Sequence, residues 1–417
     1  MKVLLINTSE RIGGAAIAAN RLMEALKRNG IRVQMMVRDR QTQQLTVKAI
    51  KQSWLLPLKF LWERLVIFLC NGLNKHTLWA VDIANTGTDI TQMPEFVHAD
   101  VIHLHWVNQA FLSMENLRQI IESGKRIVVT MHDQWYFTGV CHYSADCTGY
   151  QNQCLQCPLM GHYWPGNTLA HKVFAKKQAM YADRNITFVG CSRWMADMAR
   201  KSTLLSGLSV VDIPNAINTD VFCPTDSEEA RKALELPLDR QLLLFGSQRI
   251  TDERKGFRFL AEACKLMLKK DPSLIHKLAI VVVGGDSDKV QSEVPFDVYP
   301  ISYVSRESEM VKLYNAVDAF VTPSLQDNLP NTLVEALACG TPCVGFQVGG
   351  IPEMIDHKKN GYVARYCDAE DFATGIRWTL DAERHEALSM AARAKALATY
   401  SEGSVANRYA EVYAGIL

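Results

Sequence analysis

The sequence predicts an α/β protein with two doubly wound domains, each a parallel sheet covered by helices on both faces. Short apolar runs rich in β-branched residues alternate with stretches of helical periodicity along nearly all of its 417 residues, and this alternation is typical of such sheets. The pattern starts again after about residue 220, and the chain is longer than one ordinary domain. We therefore place a domain boundary near 215–220.

The predicted strands form two groups. Those of the first half are Val3–Asn7, Val33–Val37, Val101–His105, Ile127–Met131 and Ile186–Cys191. Those of the second half are Leu242–Gly246, Ala279–Gly284, Ala319–Thr322 and Cys343–Phe346. Doubly wound sheets bind ligands at the carboxyl ends of their strands, so we expect a site in a cleft between the two domains.

Composition argues against several classes of function. Lys plus Arg (45) nearly equals Asp plus Glu (44), so we expect no nucleic-acid partner. The N-terminal apolar run is too short for a secretory signal. Eleven cysteines without such a signal indicate a reducing compartment, and we expect the protein to be cytoplasmic.

One segment, residues 54–69, is apolar enough to raise the question of membrane contact. Lys59, Glu63 and Arg64 interrupt it, and a spanning helix needs about 20 mostly apolar residues. Two interpretations stay open. The segment is either a helix buried in the first domain or an interfacial helix that brings the protein to a substrate held at the inner face of a membrane.

A glycine pair follows the first predicted strand. Gly13 and Gly14 precede a helix predicted from about Ala15 to Asn29, and small residues there let an anion approach free backbone N–H groups. The G-x-G-x-x-G spacing of dinucleotide-binding proteins is absent, which counts against an NAD enzyme. A tight turn without a ligand is an equally good interpretation.

The second domain has polar side chains at two strand ends. Arg249 and Lys255 follow its first strand, and a guanidinium with an ammonium group can hold a diphosphate; two solvated cations are the alternative. Asp327 precedes a helix predicted to have Pro330 in its first turn, and Glu335 lies within that helix. Both carboxylates can accept hydrogen bonds from sugar hydroxyls; helix capping and an exposed helical position are their alternative roles.

These motifs together resemble the retaining glycosyltransferases of the large group 1 family, family 4. The resemblance covers nearly the whole chain and is most specific from 245 to 365. The matching residues are Pro214–Asn218, Arg249, Lys255, Gly256, Asp327, Glu335–Cys343, Gly349–Glu353 and Asn360–Gly361. Each motif alone is modest, but in this order they indicate the family.

The resemblance implies the GT-B fold and transfer of a sugar, with retention at the anomeric carbon, from a nucleoside diphosphate sugar to a glycan or lipid-linked acceptor. Such enzymes often build bacterial surface polysaccharides such as capsule, exopolysaccharide or O-antigen. The last helix of the family returns to the first domain, so the predicted domains are residues 1–216 with 401–417, and residues 217–400. No cofactor is expected for catalysis.

The resemblance also assigns roles to residues. Arg249 and Lys255 would bind the donor phosphates and stabilise the departing nucleoside diphosphate, while Asp327 would contact the sugar and Glu335 the ribose. The implied catalytic residues are His132, Arg249, Lys255 and Asp327. The implied donor-binding residues are Gly13, Gly14, Arg249, Lys255, Asp327, Asn328, Leu329, Asn331, Thr332 and Glu335.

His132 matches a histidine of the family, and two other positions depart from the family pattern. A lone histidine is more often structural, but the strand-end position of His132, beside Asp133, favours a role in the site. Asp327 stands where the family has a glutamate, and Pro330 stands where it has a glycine. Both departures leave the identity of the donor sugar open.

Four cysteines lie within 17 residues: Cys141, Cys147, Cys154 and Cys157. The Cys154-x2-Cys157 spacing predicts a structural zinc with four thiolate ligands; buried free cysteines or a redox pair are the alternatives. Nearby aromatic residues are candidates for stacking on acceptor sugars, with core packing as their alternative. They are Trp106, Trp135, Tyr136 and Trp164.

Two other functions share part of this pattern. A sugar-nucleotide epimerase of GT-B type would bind the same donor but need no acceptor. A zinc-stabilised binding module would have lost catalysis, and the intact pair of Arg249 and Lys255 argues against it.

Overall fold

The computed structural model describes residues 1–51, 54–160 and 169–416, and the chain divides into two compact units. The first unit comprises Met1–Pro214 and Val405–Leu417, and the second comprises Asn215–Ser404. Each unit is built around its own parallel sheet.

The first sheet has seven strands in the order β3-β2-β1-β4-β5-β6-β7. Its strands are β1 (Lys2–Ser9), β2 (Arg32–Asp39), β3 (Val47–Ala49), β4 (Val101–Leu104), β5 (Arg126–Met131), β6 (Ile186–Gly190) and β7 (Ser209–Asp212). The helices in this part of the chain are α1 (Gly14–Arg28), α2 (Leu55–Cys70), α3 (Pro94–Val97), α4 (Met114–Ile121), α5 (Leu169–Tyr181) and α6 (Arg193–Arg200). The strand order reverses between β1 and β4, as it does in doubly wound sheets.

The second sheet has six strands in the order β10-β9-β8-β11-β12-β13. Its strands are β8 (Gln241–Arg249), β9 (Leu278–Gly285), β10 (Asp297–Ile301), β11 (Ala319–Thr322), β12 (Cys343–Phe346) and β13 (Gly361–Ala364). The helices that follow α6 are α7 (Ser227–Ala233), α8 (Phe257–Lys270), α9 (Glu307–Ala316), α10 (Asn331–Ala338), α11 (Ile351–Met354), α12 (Ala369–Thr379), α13 (Ala382–Thr399) and α14 (Glu402–Ala414). From Val405 onward, α14 belongs to the first unit.

The prediction of two parallel α/β sheets is confirmed. Every predicted run coincides with a strand, and the four strands that were not predicted (β3, β7, β10 and β13) are the edges of the two sheets. An edge strand has one neighbour and is less enclosed, so it need not be a long apolar run. β7 and β10, for example, contain no buried residue.

Helix α2 is held to the first unit by buried charges. Arg64 donates from Nη1 to the carbonyls of Leu78 (2.7 Å) and Val81 (3.0 Å), and from Nη2 to Oδ2 of Asp82 (3.1 Å). The same Nη2 lies 3.2 Å from Oε2 of Glu63, which is fully buried. The polar residues of this helix therefore face inward. The opposite face of α2 is exposed. The interpretation of this segment as a helix buried in the first domain is therefore wrong for that face.

Candidate functional site

The candidate site lies where the order of the second sheet reverses, at the carboxyl ends of β8 and β11. The chain leaves these neighbouring strands in opposite directions, which opens the crevice in which such sheets bind ligands. The two loops that follow the strands are bonded to each other. The N–H of Leu325 donates to the carbonyl of Arg254 (2.8 Å), and Nη1 of Arg254 donates to the carbonyl of Gln326 (2.9 Å).

At the centre of the site, Lys255 pairs with Asp327. The ammonium Nζ donates to Oδ2 of Asp327 at 2.5 Å, and the hydroxyl of Ser324 lies 3.4 Å from the same oxygen. Burial by itself would raise the pKa of Asp327, but the charges of Lys255 and Arg254 outweigh it and lower that pKa. The carboxylate is therefore ionised at neutral pH, and the Lys255 side chain keeps 23% of its surface accessible.

Two glycines fix the backbone on either side of this pair. Gly256 has φ +71°, and a Cβ there would lie 1.9 Å from the carbonyl oxygen of Pro323. Gly349 has φ +58°, and a Cβ there would lie 1.7 Å from the carbonyl oxygen of Asp327. No other residue fits either position without backbone movement. The Lys-Gly and Gly-Gly motifs therefore set the loop geometry around Asp327.

Helix α10 begins beside Asp327. Pro330 occupies the position just before its first residue rather than its first turn. Oδ1 of Asn331 accepts a hydrogen bond from Nδ2 of Asn215 (3.0 Å). Asn328 and Leu329 are buried and Thr332 is half-buried. These residues are near Asp327 in sequence, but their predicted contacts with a donor stay predictions.

Glu335 lies inside the second unit, so its alternative role as an exposed helical residue is wrong. It is 6% exposed, and its Oε2 accepts a hydrogen bond from the hydroxyl of buried Tyr314 at 2.7 Å. Its predicted contact with the ribose stays a prediction.

Arg249 is less constrained than Lys255. Its side chain is 76% exposed, and its Nε lies 3.8 Å from Oδ2 of Asp286. The other oxygen of that carboxylate, Oδ1, accepts a hydrogen bond from Nζ of Lys289 at 2.5 Å. Sequence reasoning missed Asp286 and Arg254. The glycine pair before Asp286, at the end of a predicted strand, could have indicated Asp286. The position of Arg254 beside Lys255 could have indicated Arg254.

In the first unit, the predicted glycine pair lies at the start of α1. Gly13 has φ +93° and precedes Gly14, the first helical residue. A Cβ on Gly13 would meet nothing within 4 Å, so the requirement for glycine comes from the backbone conformation and not from crowding. The predicted approach of a ligand to this pair stays a prediction.

His132 lies at the carboxyl end of β5 and joins a row of histidines. Its Nε2 is 2.9 Å from Nδ1 of His105, and its Nδ1 is 3.6 Å from Sγ of Cys191. Burial lowers the pKa of His132 to about 4, so its ring is neutral at pH 7. His103 lies behind His105 with ring centroids 4.2 Å apart. The alternating histidines of Val101–His105 were a signal that sequence reasoning did not use.

The predicted structural zinc is not supported. In the described part of the chain, no group of three or more His, Cys, Asp or Glu residues is placed to hold a metal ion. Of the four proposed ligands, Cys141, Cys154 and Cys157 lie in the apolar core of the first unit. Burial raises the pKa of Cys141 to about 12 and that of Cys154 to about 11, so these groups are thiols at neutral pH. Cys147 is half-buried, and all four are free cysteines.

The aromatic candidates have different surroundings. Trp135 and Tyr136 are 0% and 4% exposed, so they pack in the core and do not present a face to a sugar. Trp106 is half-buried, and its Nε1 donates to Oδ2 of Asp133 at 2.8 Å. Trp164 lies outside the described residues.

The fold is that of the GT-B class. Sucrose-phosphate synthase from Thermosynechococcus elongatus matches the whole chain and 98% of its own, with a TM-score of 0.67 and 19% identity. Anabaena HepE in complex with UDP-glucose matches the whole of both chains, with a TM-score of 0.63 and 14% identity. At such identities the likeness shows the fold alone.

The sequence then identifies the family. The profile described as Glycosyltransferase Family 4 matches residues 12–221, and the profile described as Glycosyl transferases group 1 matches residues 239–382. This chain belongs to glycosyltransferase family 4, as the sequence motifs predicted.

Curated relatives match only part of the chain. A D-inositol 3-phosphate glycosyltransferase of Streptosporangium roseum is 31% identical over 220 residues, half of each chain. The putative colanic acid biosynthesis glycosyl transferase WcaC of Escherichia coli is 24% identical over 269 residues, 64% of this chain and 63% of WcaC. The chain thus spans about half the length of the first of these relatives and just under two thirds of WcaC.

Proposed function

We propose that this protein transfers a sugar, with retention of anomeric configuration, from a nucleoside diphosphate sugar to a glycan or lipid-linked acceptor. The setting we propose is bacterial surface-polysaccharide synthesis on the cytoplasmic side of a membrane. Membership of family 4 and the name of the relative WcaC support this setting.

The observation that carries the proposal is the pair formed by Lys255 and Asp327. Both side-chain hydrogen bonds that the described residues make to Asp327 end on Oδ2, which leaves Oδ1 to accept from a sugar hydroxyl. Lys255, partly accessible, offers its ammonium to the donor phosphates. One site can thus hold the sugar and the diphosphate of the same donor. HepE, of the same fold, has been solved with UDP-glucose.

We propose that catalysis uses protein cations rather than a metal ion. When the bond to the sugar breaks, negative charge develops on the departing diphosphate, and fixed positive groups stabilise that charge most where water is excluded. Lys255 is held in place by Asp327, and Arg254 is bonded to the next loop. Arg249 is exposed and has room to swing toward a bound phosphate.

Donor hydrolysis tests the reaction class without a known acceptor. The protein is incubated with UDP-glucose, GDP-mannose and other common nucleotide sugars, and release of the nucleoside diphosphate is followed with a coupled assay. We expect slow release with one donor class, and proton NMR should first show a free sugar with the donor's own anomeric configuration. A sample without protein is the control.

Two outcomes would contradict the proposal. A released sugar with the opposite anomeric configuration would exclude retention. Conversion of the nucleotide sugar to an epimer, with no release of nucleoside diphosphate, would favour the epimerase.

A further inference from the structure

Helix α2 has its polarity reversed relative to an ordinary surface helix. It buries Glu63 and Arg64 and exposes a stripe of apolar side chains. The stripe, which we call the α2 stripe, consists of Trp54, Leu55, Leu58, Leu61, Trp62, Leu65 and Leu69, each between 41% and 79% exposed. Their spacing of three or four residues places them on one side of the helix. Large exposed apolar faces of this kind mark interaction surfaces.

The structure holds this face outward. Arg64 is bonded to two carbonyls and to Asp82 beneath the helix. Lys59 donates from Nζ to the carbonyl of Gly87 at 2.6 Å. The helix cannot rotate its leucines into the core without breaking these buried interactions, which are costly to lose. Trp79, itself 64% exposed, lies beside the helix with its ring 5.9 Å from that of Phe60.

Charge around the stripe favours an anionic surface. Between Arg40 and Val81 the sequence contains a single acidic residue, Glu63, and it is fully buried. Lys51 before the helix and Lys75 after it are both exposed. No helix in the described ranges combines the length and the apolarity that crossing a bilayer requires. Tryptophans and leucines flanked by lysines are typical of helices that lie in the plane of a membrane surface.

We propose that the α2 stripe docks on the surface of a bilayer that carries anionic lipids. The helix lies parallel to the surface, its leucines enter the boundary of the acyl region, and Trp54, Trp62 and Trp79 lie at the level of the headgroups. Lys51 and Lys75 contact lipid phosphates. This inference rests on α2 and its surroundings and is independent of the proposed enzymatic function.

Vesicle binding tests the inference with no donor or acceptor present. The full-length protein is sedimented with vesicles of two parts phosphatidylcholine to one part phosphatidylglycerol, and with vesicles of phosphatidylcholine alone. We expect stronger binding to the mixed vesicles. The triple variant Leu58→Gln, Leu61→Gln, Leu65→Gln should bind at least about tenfold more weakly because the apolar contact is lost.

A matched control uses three exposed apolar residues of the second unit. The variant Leu238→Gln, Met390→Gln, Leu397→Gln removes side chains of similar exposure away from α2, and it should bind vesicles as the wild type does. Thermal melting of both variants checks that they are folded.

Three results would overturn the inference. Unchanged binding of the α2 variant would exclude the stripe as the contact. The wild type could instead be a dimer in lipid-free solution and the same variant a monomer. That result would mean that a second copy of the chain covers the stripe. Lipids brominated near the headgroup should quench the tryptophan fluorescence of the wild type. An absence of quenching would exclude docking even if the variants did not fold.

Discussion

Replacing Lys255 with alanine is expected to lower turnover at least about tenfold. The ammonium is held at 2.5 Å from Oδ2 of Asp327, and the Lys255 side chain is partly accessible. Its removal takes away positive charge opposite the leaving diphosphate and leaves Asp327 without its nearest counter-charge. Steady-state rates with the donor found by the hydrolysis assay measure the effect.

Lys270→Ala is the matched control for this substitution. Lys270 is the last residue of α8, the helix that begins just after Lys255, so it lies at the end of the helix away from the site. Its substitution should leave turnover unchanged. Melting temperatures show whether Lys255→Ala is folded. A folded Lys255→Ala protein with nearly wild-type turnover would remove this residue from the catalytic machinery.

Glu63→Gln is expected to stabilise the protein at about pH 8 by up to a few kcal/mol, because each unit of pKa shift corresponds to about 1.4 kcal/mol. Burial and the adjacent carboxylate of Asp82 raise the pKa of Glu63 from 4.5 to about 8, and Arg64 offsets only part of this rise. Glutamine is neutral at every pH and can keep a donor facing Asp82.

The sign of the pH dependence follows from the raised pKa. The folded state holds the Glu63 proton more tightly than the unfolded state does. The contribution of Glu63 to the free energy of unfolding is therefore full below about pH 4.5, and it is lost as the pH rises toward about 8. The increase in stability that Glu63→Gln gives should therefore be large at about pH 8 and small at about pH 5. Thermal melts at both values measure it.

Glu115→Gln on α4 is the control for this prediction. Glu115 is exposed, and Arg118, its hydrogen-bond partner, lowers the pKa of its carboxyl. The substitution of Glu115 should give no increase in melting temperature at the higher pH. An equal change in melting temperature for Glu63→Gln at both pH values would show that Glu63 does not titrate in this window.

The sequence was informative where local pattern determines structure. Central strands such as β1 and β8 are enclosed on both faces, so they are continuous apolar runs that could be recognised without a structure. Gly256 and Gly349 were recognisable as motif positions, and the structure adds the reason, which is that a side chain at either would collide with a backbone carbonyl.

Features that depend on distant parts of the chain could not be predicted in this way. The neutral state of His132 depends on its burial, to which parts of the chain distant in sequence contribute, such as His105, 27 residues away. The inverted face of α2 depends on Asp82, which turns Arg64 inward. The predicted zinc is not supported among the described residues, and spacing alone does not reveal that Cys141 and Cys154 lie in an apolar core.

The most direct test of the central claim, that the second unit binds a nucleoside diphosphate sugar, is thermal melting with UDP, GDP, ADP, CMP and their common sugar conjugates. We predict that one nucleoside diphosphate class raises the melting temperature, since a ligand at about 100 times its Kd stabilises the folded state by about 2.7 kcal/mol. Lys255→Ala should lose most of this rise and Lys270→Ala should keep it. If the protein is folded and none of these ligands changes its melting temperature, the claim that the second unit binds a nucleoside diphosphate sugar is contradicted.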